Sequence, residues 1–140
     1  MCYGMRTMPF GFAIYPDLRL LFIRGQGMIT QPERVKTMLA WLRDPSYAAC
    51  ADALFDITAT ESTPRLAELR ELIAILRQQA PASGPRRLAV VTSKPIAFGV
   101  AQVFGRFLQL KSVPLEVRVF LEPESAWAWL RPGMPPLQPR

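Results

Sequence analysis

At 140 residues the chain has the size of one domain and enough length to bury a single hydrophobic core. It holds no histidine, and its two cysteines, Cys2 and Cys50, lie far apart, which excludes zinc hydrolysis, Ser-His and Cys-His catalysis and a disulfide framework. The net charge of +6 raises nucleic acid as a partner, but only Arg86 and Arg87 are adjacent and the helical stretches mix Arg with Glu, so the basic residues read as a solvated surface.

The apolar runs fall far short of the roughly 20 residues of a membrane span, and "MCYGMRTMPF" carries no apolar core of a secretory signal, so a cytoplasmic protein is expected. Residues 1–9 read as a flexible N-terminus. In "FGFAIYPDLRLLFIRGQG" two apolar stretches, 10–15 and 18–24, flank Pro16-Asp17; proline sets the turn and aspartate bonds locally, so a β-hairpin opens the fold. Gly25-Gln26-Gly27 breaks the pattern. A first helix follows, with Pro32 near its start, Glu33 in its first turn, Val35, Met38, Leu39 and Leu42 at helical spacing, and Asp44-Pro45 as its stop.

"DALFDI" (52–57) reads as a buried strand and 64–79 as a helix with Leu66, Leu69, Leu72, Ile73 and Leu76 on one face. "RRLAVVTS" is the next buried strand and "PIAFGVAQVFGRFLQL" a third helix. There Ile96, Val100, Val103, Phe107 and Leu110 form the predicted core stripe, widened by Phe104 and Leu108, while Ala97, Ala101 and Gly105 continue the apolar surface toward Phe98. A helix this apolar calls for a second neighbour: the adjacent helix, a partner subunit or a lipid-like ligand. "LEVRVFL" alternates as a strand, "EPESAWAWL" forms a last helix whose Trp127 and Trp129 cannot share one face, and 132–140 is a Pro-rich flexible tail. The order ββαβαβαβα over 10–131 predicts one α/β domain, a mixed and mostly parallel sheet behind an N-terminal hairpin.

Ligands of open α/β sheets sit beyond the carboxyl ends of the strands. Two polar clusters fall there: Asp56, Thr58, Thr60, Glu61, Ser62 and Thr63 after one strand, and Thr92, Ser93 and Lys94 after the next. An acid, a hydroxyl and a lysine so placed look like haloacid-dehalogenase phosphatases and two-component receivers, which would make Asp56 a phosphoryl acceptor, Thr92 or Ser93 a phosphate ligand and Lys94 its charge partner. Both families need further carboxylates to hold Mg²⁺, and position 58 is Thr; neither a metal nor another cofactor is expected, and Asp56 reads better as a turn residue. Thr63-Pro64 has the pattern of a helix N-cap followed by proline at the first helical position, and Ser93-Lys94 that of a second cap.

"YPDLRLLFIRGQGMIT", "LFDIT", "FGVAQVF" and "VFLEPESAWAWL" together resemble the uncharacterised bacterial branch of the STAS-type proteins, small domains built like the sporulation anti-sigma-factor antagonists. The resemblance spans most of 10–130 and implies a regulatory, protein-interacting module rather than an enzyme. In the antagonists a Ser or Thr at the start of the helix after the central strand is phosphorylated; "ESTP" stands at that place, with Pro for the family's Gly and Glu for its Asp, so Thr63 and then Ser62 are the implied phospho-acceptors. The expected partner is a protein or a second copy of the chain, through the loop 58–63 and the side of the third helix around Phe98. A small hydrophobic ligand between helix and sheet is the alternative, and phosphoryl transfer through Asp56 the third reading.

Overall fold

In the computed structural model, which describes residues 9–133, β1 (Phe10–Tyr15) and β2 (Leu20–Gly27) form the antiparallel hairpin, paired from Phe10↔Gly25 to Tyr15↔Leu20. The turn between them is a short 3-10 segment, Pro16–Leu18, closed by Arg19 in the left-handed region at φ 50°. β2 thus starts two residues later than the apolar pattern suggests. It also runs through Gly25 and Gln26 instead of breaking there, and ends at Gly27, φ +66°. Glycine at position 25 leaves room for its neighbours: a Cβ would stand 2.7 Å from Thr60 Cγ2 and 2.9 Å from Ile29 Cδ1, so those side chains would have to shift. Residues 1–8 and 134–140, most of the two segments expected to be flexible, lie outside the described residues, as does Cys2.

α1 (Gln31–Arg43) begins with a reciprocal cap, Glu33 N donating to Thr30 Oγ1 at 3.3 Å and Thr30 N to Glu33 Oε1 at 2.9 Å. Then come β3 (Asp52–Thr60), α2 (Leu66–Gln79), β4 (Arg87–Val91), α3 (Pro95–Leu110), β5 (Glu116–Phe120) and α4 (Pro123–Leu130). The order ββαβαβαβα is the one predicted, and the sheet is mixed: β1-β2-β3-β4-β5, with only β1 antiparallel to its neighbour.

Because every parallel crossover steps the same way along this sheet, right-handedness sends α1, α2 and α3 to one face. There Met38, Leu72 and Leu108 join Leu21, Ala53 and Val90 in the main core. α4 follows the edge strand and closes the other face, where Ala126, Trp127 and Leu130 pack on Leu20, Leu54 and Val91. Leu88–Val91 is buried on both faces, which is why it reads as a continuous apolar run. Of the two tryptophans of α4, Trp127 is buried, whereas Trp129 leans on Phe120 with the guanidinium groups of Arg87 and Arg118 5.2 and 5.0 Å from its ring.

α3 departs in part from its predicted orientation: Phe104, Phe107 and Leu108 of the widened stripe do pack on the main core. Its buried residues are Ala97, Ala101 and Leu108, while Ile96, Val103 and Leu110 of the expected core stripe face outward, 75%, 38% and 77% exposed. The small face wins because the helix lies close to the sheet: a Cβ on Gly105 would already stand 3.1 Å from Val117 Cβ. A bulkier side chain at 105 would hold the helix off.

Tyr47, in the short turn Tyr47–Ala49 after α1, is buried against Gly84, whose φ of +142° and 2.6 Å clearance to Tyr47 Cε2 leave no room for a side chain. Burial, and secondarily the neighbouring Cys50, push its phenol from the usual 10 up to about 12. A group with a raised folded-state pKa contributes stability that is complete below its unfolded pKa and is lost as pH climbs to the folded one. The urea midpoint should therefore fall between pH 10 and about 12 more steeply in the wild type than in Tyr47→Phe. Parallel curves would remove Tyr47 as the cause.

Candidate functional site

β3 is longer than "DALFDI": it continues to Thr60, so Thr58 and Thr60, like Asp56, belong to the strand and not to a loop after it. From Arg24 to Gln26 β2 advances two residues while β3 advances three, from Asp56 to Ala59. This bulge carries an extra residue in β3. Asp56 Oδ1 is occupied inside it, accepting from Thr58 N at 2.9 Å and from Thr58 Oγ1 at 2.6 Å, which is the local turn chemistry of aspartate. Beyond the bulge Thr60 is buried in the wall of the cavity described below. Among the described residues no three His, Cys, Asp or Glu side chains stand close enough to hold a metal ion.

The two polar clusters meet at one bond, from Lys94 Nζ to Thr60 O. Thr60 Oγ1 donates to Ile57 O at 2.8 Å. Thr92 is fully buried, its Oγ1 accepting from Lys94 N at 3.2 Å, while Ser93 points to solvent. Phe98 is half-buried one turn into α3, and its N–H donates to Lys94 O. Lys94 is thus a latch between β3 and the start of α3, and Thr92 braces the turn from β4 into α3.

The loop after β3 also differs from expectation. α2 starts at Leu66, not at Pro64, and its cap residue is Arg65, whose N–H donates to Glu68 Oε1 at 2.8 Å. Thr63 is therefore two residues outside the cap and does not cap the helix. Ser62 ties this loop to the one before α1, its Oγ accepting from Ile29 N at 2.9 Å and donating to Ile29 O at 3.2 Å.

Between the sheet and α1, α2 and α3 lies a cavity of about 140 Å³. Phe10, Ile23, Met38, Trp41, Leu72 and Phe104 supply much of its apolar wall, and α3 fronts it with the short side chains of Ala97 and Ala101. Thr60, Ser62, Thr63 and Pro64 bring the end of β3 and the following loop into the same wall, together with Arg34 and Tyr47. Elsewhere an apolar cavity of about 150 Å³ stays dry and takes up benzene or xenon. The sequence carried one readable sign of this space, the wide apolar surface of the third helix. Arg34 carried none, because position 34 falls between the apolar positions of an ordinary amphipathic pattern.

A sheet ordered β1 to β5 with its first strand reversed, three helices on one face and a terminal helix on the other defines the STAS-type architecture. A family model described as SpoIIAA-like matches residues 20–131, and the chain belongs to that family. Its fold is also that of an uncharacterised DUF3478-family protein with a SpoIIAA-like fold from Shewanella loihica PV-4, whose crystal structure aligns over 86% of this chain and 91% of that one with a TM-score of 0.54 at 19% sequence identity. No curated protein matches the chain. The family supports a regulatory or interaction module in general, and among the described residues no helix is long and apolar enough to cross a membrane.

Proposed function

We propose that this domain is a non-enzymatic regulatory module that takes a small apolar ligand into the space between the sheet and α1 to α3. The observation that carries this reading is the cavity of about 140 Å³ with its almost wholly apolar wall. Thr63 and Pro64 form part of that wall, and the resemblance to the antagonists makes Thr63 the implied phospho-acceptor, so ligand and modification would act on one loop. Thr63 is a better acceptor than Ser62, because phosphorylating Ser62 would remove the hydrogen it donates to Ile29 O and crowd the loop junction it ties. Benzene or indole should raise the melting temperature saturably, and Ala101→Leu, which puts methyl groups into the cavity, should abolish the rise. A flat response to both probes in the wild type would remove the proposal. Thr63→Glu should weaken probe binding at least tenfold by placing a charge in the wall; unchanged affinity would remove the control by modification.

A second reading is favoured by Ile96, Val103 and Leu110, which repeat at intervals of seven along the outer side of α3 and are 75%, 38% and 77% exposed. Such a stripe suits a protein partner or a second copy of the chain, and it shifts the proposed contact surface of α3 away from Phe98. Leu110→Glu should then reduce the sedimentation coefficient of an assembled species; a monomer at all concentrations would leave only the heterologous partner.

A further inference from the structure

The cavity wall is apolar except at a few points, and most of those are already engaged. Thr60 Oγ1 is bound to Ile57 O, and Ser62 Oγ is bound to the backbone of Ile29. Arg34 differs. It is the only cation among the described residues that line the cavity, and it is 8% exposed, at the junction where α1 meets the first turn of α2. Its Nη1 donates to Gln31 Oε1 at 3.2 Å and stands 3.8 Å from Glu68 Oε1, an oxygen that already accepts from Arg65 N at 2.8 Å. Its Nε and Nη2 donate to no atom of the described residues. Among the described residues no buried polar side-chain atom is sealed off without a partner, so these two donors are not sealed off, and Arg34 lines the cavity.

A guanidinium in an apolar wall is costly unless its remaining N–H groups are filled. Nε and Nη2 form one edge of the planar fork, the edge that takes both oxygens of a carboxylate at once. Burial lowers the Arg34 pKa, while Glu68 and then Glu33 raise it, and arginine stays charged at neutral pH. The volume sets the other half of the recognition: a space near that which holds benzene admits one ring or a short chain, not a long acyl tail.

We infer that the cavity selects small amphiphilic monocarboxylates, an aromatic ring or short alkyl chain in the apolar space with its carboxylate on Nε and Nη2 of Arg34. This rests on the reading of the cavity as a ligand site. The neutral hydrophobe of that reading becomes the tail of an acid, and the specificity moves from shape to charge.

Phenylacetate and phenylacetamide have nearly the same size and differ in charge, and benzene reports on the cavity alone. By calorimetric titration of the full chain, phenylacetate should bind at least tenfold more tightly than phenylacetamide. Arg34→Met, which keeps the length of the side chain, should lose this preference while still binding benzene. In the wild type, where no folding defect can intervene, the Nε–H resonance of Arg34 should shift with phenylacetate and stay in place with phenylacetamide. Equal affinity for acid and amide, or an Nε–H resonance unmoved by phenylacetate, overturns the inference; if benzene still binds, the cavity reading survives it. Failure of all three probes to bind overturns both.

Discussion

Replacing Asp52 by alanine is expected to lower the free energy of unfolding by about 3 kcal/mol, the low end of what removing one partner of a buried ion pair costs. Asp52 is 3% exposed at the start of β3. Its two oxygens accept from Arg87, Nε at 3.0 Å and Nη2 at 3.3 Å, and Arg131 Nη1 donates to the second oxygen. The two arginines then reach the backbone beyond: Arg87 to Trp129 O at 3.1 Å and Leu130 O at 3.4 Å, and Arg131 to Leu18 O. One carboxylate thus binds the hairpin turn, β3, β4 and the end of α4, and among the described residues α4 is the only helix on its face. Without it, two cations share a pocket with no anion. Arg87, with a side chain 37% exposed, recovers some hydration, which is why the low end applies. Urea unfolding measures the loss. Glu116→Ala is the control: its pair with Arg118 is 54% and 57% exposed, and such pairs contribute under about 1 kcal/mol. A change in Asp52→Ala no larger than the control's would show that the network carries no stability.

That network was invisible in the sequence for a physical reason. Asp52 opens an apolar strand, and its partners lie 35 and 79 residues away, so no local pattern links them. What was legible was local. Pro16-Asp17 set a turn, Asp44-Pro45 stopped α1, and the apolar runs around Leu54 and Val90 became central strands. The overall architecture follows, because alternating strands and helices with right-handed crossovers leave few topologies.

The candidate site was legible in composition but not in placement. The polar residues after "DALFDI" were expected to be a loop with a helix cap at its end. A bulge instead carries β3 on to Thr60 and moves the helix start to Leu66. Bulges have no composition of their own; this one depends on Gly25 of the neighbouring strand leaving room for Thr60, a contact across the sheet. The result separates residues that stand side by side in the chain. Asp56 and Thr58 bond to each other, whereas Thr60, Ser62 and Thr63 line the cavity.

The face of α3 is decided by a single comparison. Leu108→Ala is expected to cost about 3 kcal/mol, within the usual range for deleting a buried leucine side chain, whereas Ile96→Ala and Leu110→Ala should each stay within about 0.5 kcal/mol, as exposed substitutions do. The periodicity of this helix marks two apolar stripes, one bulky through Ile96, Val103 and Leu110, the other small through Ala97, Ala101 and Leu108. They lie roughly a third of a turn apart at about 100° per residue. Ranking stripes by hydrophobic bulk turns the first inward; close packing of Gly105 on Val117 turns the second inward. The two orientations differ in what they predict for Ile96→Ala and Leu110→Ala, which are costly only if the bulky stripe faces the sheet. Leu108 is fully buried and the helix carries the front of the cavity, so truncating it removes packing on the side where the structure already has least to spare. Urea midpoints that rank Ile96→Ala or Leu110→Ala as the costlier change would mean that the bulky stripe faces the sheet, and the cavity bounded by Ala97 and Ala101 would go with it.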